Sequence, residues 1–252
     1  MIRENINERN NKILKIVMKR YIETGLPVGS EYVSKQYKCD ISPATIRNTM
    51  ADLEEQDYIT QPHTSAGRIP TDKGYRYYVN KLLDTVSVEE DMKQLASEIF
   101  ASPQEKDIDG LIDSISHFFS CAMGQVSLML VSHSQQGKKE RLFFRGIDRI
   151  IEQPEFRNNI DQIKTILHLL EEQDVFIDLF KKDMEQTNES VHLYIGSENP
   201  YEELDECTFL SAKCALSDYR GMLGILGPKR MDYEKIISQL QYFTQLCEQE
   251  EE

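Results

Sequence analysis

The chain is 252 residues long, and its 40% hydrophobic and 29% charged residues are typical of a globular protein. This composition excludes a wholly disordered chain, and the 12 glycines and 8 prolines exclude collagen-like and proline-rich chains. Acidic residues outnumber basic residues by 43 to 29, which gives a net charge of −14. A protein this acidic is a poor non-specific ligand for nucleic acid, because phosphate neutralisation supplies most of that affinity.

The charge is unevenly distributed along the chain. Residues 1–83 contain 13 basic and 10 acidic residues, a net charge of +3, whereas residues 84–252 contain 16 and 33, a net charge of −17. A basic module can bind DNA when the acidic remainder points away from it. We therefore predict two domains, 1–83 and 84–252.

The spacing of apolar residues predicts the elements of the first domain. A helix is expected over 7–24, ended by Gly25 and Pro27. A short second helix, Glu31–Tyr37, is expected to be capped by Ser30, and a turn at 39–41 follows it. A third helix, a short strand at 58–60, a loop and a strand-like return complete an order that predicts a winged helix-turn-helix.

The third helix is the candidate recognition helix. It begins with Ser42 and Pro43, an N-cap residue followed by proline at the first helical position. Ile46, Met50 and Leu53 are spaced to face the core, which leaves three polar residues off that stripe: Thr45, Arg47 and Asn48. Arginine pairs with guanine and asparagine with adenine in the major groove, and Ser42 and Thr45 can bind phosphates. The alternative is a plain cap at Ser42 and a solvated charge at Arg47.

The polar segment 61–70 is the candidate wing. His63, Thr64 and Ser65 offer small polar donors, and Arg68 near its end can enter the minor groove or bind phosphate. Lys73, on a fourth helix that begins at Thr71 and Asp72, can touch a flanking phosphate. An ordinary turn and a solvated helix face remain the alternatives. The tyrosines of that helix, Tyr75, Tyr77 and Tyr78, favour packing over base stacking.

The second domain shows helices and strands without strict alternation, which predicts an α+β fold around a largely antiparallel sheet. Helices are expected at 88–100, 108–123, 160–170, 175–180 and 233–247. Strands are expected at 126–131, 142–145, 191–195, 208–212 and 222–226.

Catalytic, metal-binding and membrane signals are weak. The five histidines are far apart and none has metal-ligand spacing with a cysteine. No P-loop, nucleophile elbow or dinucleotide-binding motif occurs. We expect no enzyme, no cofactor and no metal. The sequence predicts neither a membrane span nor a signal segment, so we expect a cytoplasmic protein. The five scattered cysteines predict reduced thiols, and a redox pair of Cys207 and Cys214 is disfavoured.

Several long runs of residues resemble the HrcA family of heat-inducible transcription repressors. In the first half they are P-V-G-S (27–30), S-P-A-T-I-R-N-T-M-A-D-L-E (42–54) and Q-P-H-T-S-A-G-R-I-P-T-D-K-G-Y-R-Y-Y-V (61–79). In the second half they are E-Q-P-E-F (152–156), I-G-S-E-N-P (195–200) and G-M-L-G-I-L-G-P-K-R-M-D-Y (221–233). The resemblance therefore covers both halves.

The resemblance implies a winged helix followed by a GAF-like domain. It also implies a homodimer that binds an inverted-repeat operator in double-stranded DNA upstream of chaperone genes. A GroEL-type chaperonin would keep the repressor active, so that heat, which occupies the chaperonin with unfolded proteins, relieves repression.

The sequence departs from the family in one place. Family members usually carry an inserted dimerisation domain, but here only residues 132–140 follow the strand 126–131 before the next family-like segment. The insertion is therefore missing or reduced to a loop, which leaves the dimer interface open. Two alternatives remain: a ligand-sensing GAF-type regulator, and a protein-interaction domain without a role on DNA.

Overall fold

A computed structural model describes residues 6–37, 42–84, 86–94, 108–133, 140–157, 159–186, 190–216 and 219–249. The predicted turn at 39–41 and residues 95–100 of the predicted helix 88–100 lie outside these ranges, and residues 90–94 are helical. The chain divides into two units. The first unit is Met1–Asp84 with Lys229–Met231, and the second unit is Thr85–Pro228 with Asp232–Glu252.

The first unit is mainly helical. Its helices are α1 (Glu8–Thr24), α2 (Ser30–Gln36), α3 (Pro43–Glu55) and α4 (Asp72–Lys81). Two short antiparallel strands, β1 (Ile59–Thr60) and β2 (Ile69–Pro70), lie between α3 and α4. As predicted, α1 ends at Gly25, whose positive φ of 66° is the left-handed conformation that glycine adopts readily.

The core of the first unit is built from the apolar stripes of α1 and α3. The predicted stripe of α3 is confirmed as buried, and it packs with that of α1: Ile13, Leu14, Val17, Met18, Ile46, Met50 and Leu53. The predicted cap of α2 was wrong, since Ser30 is the first helical residue and Gly29 is the N-cap. The helix begins one residue earlier than predicted, because the β-bridge of Val28 to Arg68 stops at position 28 and Gly29 is the last extended residue before the helix.

The second unit is built around one five-stranded sheet. Its strands are β3 (Val126–His133), β4 (Arg141–Arg145), β5 (Val191–Ile195), β6 (Cys207–Leu216) and β7 (Tyr219–Pro228). Their order is β4-β3-β7-β6-β5, and all neighbouring pairs are antiparallel. The predicted α+β class with a largely antiparallel sheet is confirmed.

Helices cover both faces of this sheet. They are α5 (Ile108–Met123), α6 (Ile147–Glu152), α7 (Ile160–Glu172), α8 (Asp174–Gln186) and α9 (Tyr233–Gln249). On one face, the rings of Phe119 in α5 and Phe243 in α9 stack edge to face at 5.3 Å. On the other face, Phe180 of α8 packs on Phe209 of β6, also at 5.3 Å. Alternate residues of the central strands are therefore buried on opposite faces.

The connection between β3 and β4 is short. Only residues 134–140 separate the two strands, and 134–139 lie outside the described ranges. A segment of this length is far too small to bury a core of its own. Among the described residues, no helix is both long and apolar enough to cross a membrane.

Candidate nucleic-acid interface

The N-terminus of α3 is fixed by the cap that the sequence predicts. Ser42 Oγ accepts a hydrogen bond from the backbone N–H of Thr45 at 3.1 Å, and lies 2.9 Å from Thr45 Oγ1. Pro43 occupies the first helical position. A cap of this kind stabilises a helix by about 1 kcal/mol. The start of α3 is therefore well defined.

Arg47 and Asn48 lie in the first half of α3 with their side chains exposed. Within the described part of the chain, neither side chain makes a hydrogen bond or an ion pair. Their neighbours Ile46 and Thr49 are 0% and 1% exposed and anchor the helix in the core. The helix thus presents a guanidinium and an amide side by side on a rigid support.

Arg68 is engaged inside the first unit rather than extended into solvent. Its Nη2 atom lies 2.8 Å from Glu54 Oε2, near the C-terminal end of α3, and its side chain is 20% exposed. Its backbone exchanges two hydrogen bonds with Val28, at 2.8 and 2.9 Å. Arg68 therefore ties the loop between β1 and β2 to α3 and to the segment before α2.

The loop between β1 and β2 is folded on itself. Gln61 Nε2 donates to the carbonyl oxygens of Thr64 and Ala66 at 3.0 and 2.8 Å, and the Ala66 N–H donates to the His63 carbonyl at 2.8 Å. These bonds leave the side chains of three polar residues exposed at the loop tip: His63, Thr64 and Ser65.

Glycine is required where this loop passes the chain before α2. A Cβ atom on Gly67 would lie 2.5 Å from the carbonyl carbon of Val28. No side chain fits at that distance, so any larger residue at position 67 would push the loop away from Val28.

Lys73 also has a partner within the first unit. Its Nζ atom donates to the carbonyl of Gln56, the C-cap of α3, at 2.8 Å, and lies 4.7 Å from the centre of the Tyr58 ring. A cation at a helix C-terminus is stabilised by the helix dipole. Lys73 therefore supports the end of α3, although its side chain remains exposed.

The tyrosines of α4 pack within the first unit, as the sequence favours. Tyr75 and Tyr78 are 3% and 2% exposed. The Tyr77 hydroxyl donates to Asn11 Oδ1 at 2.9 Å, and its ring stacks edge to face on Tyr58 at 5.1 Å.

Metal-binding groups and paired cysteines are the other chemical features to consider in the described residues. Across those ranges, no group of three or more His, Cys, Asp or Glu side chains is placed to hold a metal ion. The positions of Cys207 and Cys214 on β6 differ in parity, so the two thiols lie on opposite faces of the sheet. They cannot form the redox pair considered from the sequence.

The fold and the exposed, capped helix α3 are typical of transcription regulators. Comparison with known protein families gives a specific match: the family model described as "HrcA protein C terminal domain" matches residues 71–237. The chain belongs to the HrcA family.

Two relatives cover nearly the whole chain. The protein of Desulforamulus reducens is 29% identical over 329 aligned residues, which include 92% of this chain and 93% of the relative. The protein of Carboxydothermus hydrogenoformans is 28% identical and covers 95% of this chain and 96% of its own. Both are named heat-inducible transcription repressor HrcA. An alignment of 329 residues exceeds the 252 residues of this chain, so the relative has segments without a counterpart here.

A solved structure shares the fold. It is titled "Crystal structure of a hypothetical protein at 2.2 A resolution", and it superposes with a TM-score of 0.74 at 20% sequence identity. The similarity covers 97% of this chain and 98% of that chain.

Proposed function

We propose that this protein is a sequence-specific DNA-binding repressor of heat-shock genes. Residues 1–83 form a winged helix-turn-helix with α3 as recognition helix and the β1–β2 loop as wing. Residues 84–252 form a GAF-like domain. The observation that carries the proposal is the pair Arg47 and Asn48, exposed together on a capped and anchored α3. Membership of the HrcA family supports it.

Recognition would proceed through base edges in the major groove. Arg47 donates two hydrogen bonds to O6 and N7 of a guanine, and Asn48 pairs with N6 and N7 of an adenine. Each such pair discriminates against a wrong base by about 1–3 kcal/mol. Ser42 and Thr45, with the backbone N–H groups at the start of α3, bind phosphate oxygens and set the register of the helix.

The wing would contact the DNA backbone through its tip. His63, Thr64 and Ser65 are exposed there on a loop held in shape by Gln61. We assign Arg68 and Lys73 mainly a positioning role, because their contacts with Glu54 and Gln56 fix the wing relative to α3.

A two-fold dimer would place two copies of α3 in successive major grooves, about 34 Å apart, which matches an inverted repeat. A GroEL-type chaperonin in the cytoplasm would maintain the folded repressor. Heat would then empty the operator, because a small loss of stability strongly changes the folded fraction of a marginally stable protein.

Ligand sensing by the GAF-like domain is the alternative. A cavity of about 270 Å³ opens in the second unit, slightly smaller than the roughly 300–1,000 Å³ of usual small-molecule sites. A metabolite that raises the unfolding temperature of the purified protein would support the alternative.

The test is a gel-shift assay with the inverted repeat upstream of the chaperonin genes in the source genome. We expect Arg47→Ala to abolish specific binding, because O6 and N7 of the guanine lose the two hydrogen-bond donors of the guanidinium. Circular dichroism should show an unchanged fold. Arg157→Ala removes the same charge from an exposed site in the second unit and should bind like the unaltered protein. Equal operator affinity for Arg47→Ala and Arg157→Ala would remove Arg47 from the recognition surface.

A further inference from the structure

Two buried cysteines face each other in the second unit. Cys214 lies on β6 and Cys247 on α9, and they are 5% and 2% exposed. The Cys247 side chain lies close enough to the Cys214 thiol to affect its ionisation. Thr244, one turn before Cys247, donates through Oγ1 to the carbonyl of Lys213 at 3.1 Å and so holds α9 against β6 at this point.

Both thiols line the cavity of about 270 Å³, which gives them a route to small solutes. Residues of β6, β7 and α9 complete the lining, among them Lys213, Arg220 and Glu248. Hydrogen peroxide is far smaller than the cavity.

We propose that Cys214 and Cys247 form an oxidation site, at which a peroxide converts the two thiols into an intramolecular disulfide that joins β6 to α9. One thiolate attacks a peroxide oxygen, the O–O bond breaks, and a sulfenic acid and water are formed. The second thiolate attacks the sulfenic sulfur and releases the second water. Two thiols and one hydrogen peroxide thus give one disulfide and two waters.

The resting protein keeps the pair reduced. The hydrogen bond with Cys247, and then burial, raise the pKa of the Cys214 thiol well above its ordinary value. The thiolate is therefore scarce at neutral pH, and the rate of oxidation rises with pH as the proton is lost. Three residues with ionisable side chains line the cavity around the pair, Lys213, Arg220 and Glu248, and the strand register directs the side chains of Lys213 and Arg220 to the face of the sheet opposite Cys214.

The disulfide closes a loop between positions 214 and 247 of the chain, and such a cross-link stabilises the folded state. We expect the thermal midpoint of the second unit to rise by roughly 5–10 °C on oxidation and to return on reduction. An oxidised repressor would then resist heat better than a reduced one.

The test uses the full chain with Cys39→Ser and Cys121→Ser, which removes one exposed thiol and one outside the described residues. The reduced protein is treated with hydrogen peroxide, alkylated, and analysed by intact mass and by non-reducing peptide mapping. We expect a loss of two hydrogen atoms and a peptide linking Cys214 to Cys247. Cys207→Ser should give the same product, because Cys207 lies on the other face of β6.

Peptide mapping of this double variant is enough to test the proposal, even if Cys214→Ser or Cys247→Ser fails to fold. A linkage between other cysteines would overturn it, as would an unchanged mass under conditions that oxidise Cys121 in the unaltered chain. A midpoint that falls on oxidation would show that the bond forms only outside the native fold, and would equally overturn it.

Discussion

Asp183 on α8 is a carboxyl group with 1% exposure, which a folded protein tolerates only when it is well bonded. It accepts a hydrogen bond from the Tyr194 hydroxyl at 2.7 Å and another from Ser211 Oγ, and His192 Nε2 lies 3.8 Å away. Burial, and then the hydrogen bond to Asp183, raise the pKa of Tyr194 above its ordinary value, so the phenol stays a donor. The group joins α8 to β5 and β6.

We predict that Asp183→Ala lowers the free energy of unfolding by about 3 kcal/mol, because it takes the acceptor from the buried Ser211 hydroxyl and from the half-buried Tyr194 hydroxyl. Asp183→Asn keeps the shape and one acceptor oxygen and should cost less. Urea unfolding followed by circular dichroism measures both. An alanine variant as stable as the unaltered protein would show that water replaces the carboxylate at no cost.

Because of Asp84, the stability of the first unit depends on pH in the acid range. It bonds Lys15 and Lys19 of α1, the latter at 2.7 Å, and these hydrogen bonds lower the pKa of Asp84 from 3.8 to about 2. The pKa is depressed in the folded state, so the contribution is complete above the unfolded value and is lost as the pH falls from 3.8 to about 2. Asp84 is half exposed, so solvent screening keeps this contribution small.

We predict that Asp84→Asn costs about 0.5 kcal/mol of unfolding free energy at neutral pH and nothing at the acid end of that range. Paired urea titrations of the two proteins across the range give the difference. If the difference in unfolding free energy between the two proteins stays the same in acid, it comes from the shape of the side chain rather than from its charge.

At the scale of elements, the ion pair of Arg68 with Glu54 couples the β1–β2 loop, the proposed wing, to α3. We predict that Glu54→Gln weakens operator binding several-fold, because the proposed wing loses its fixed position, even though the change removes a negative charge beside the proposed DNA-binding surface. A double-mutant cycle with Arg68→Met should give a coupling of about 1 kcal/mol. Tighter binding by Glu54→Gln would instead show that Arg68 acts on phosphate and that Glu54 only competes for it.

Patterns over a few neighbouring residues predict the helices and strands whose formation depends mainly on those residues. The apolar spacing of α1 and α3 and the Ser42-Pro43 start identify those helices, and the strands of the second unit stand out as short segments rich in apolar residues. The helix α6 was not predicted, because its six residues are too few to show a helical period. The contacts of Arg68 with Glu54 and of Cys214 with Cys247 join distant positions, so no local pattern reveals them.

At the scale of the whole molecule, the first unit is completed by residues far along the chain. Arg230 Nη1 donates to the carbonyl of Ile22, near the end of α1, at 2.7 Å, and these residues are 208 positions apart in the sequence. Lys229 Nζ lies 3.0 Å from Asp72 Oδ1 at the start of α4. A positive charge at the C-terminus of α1 and an acidic residue at the N-terminus of α4 both suit the helix dipoles.

This arrangement has a consequence during synthesis. A ribosome must release residues 229–231 before α1 gains its last partner, since Arg230 and Ile22 are 208 positions apart. Long-range closure of this kind slows folding, and it prolongs the period in which a nascent polypeptide exposes apolar surface. Each newly made copy therefore keeps an incomplete first unit until residues 229–231 have left the ribosome.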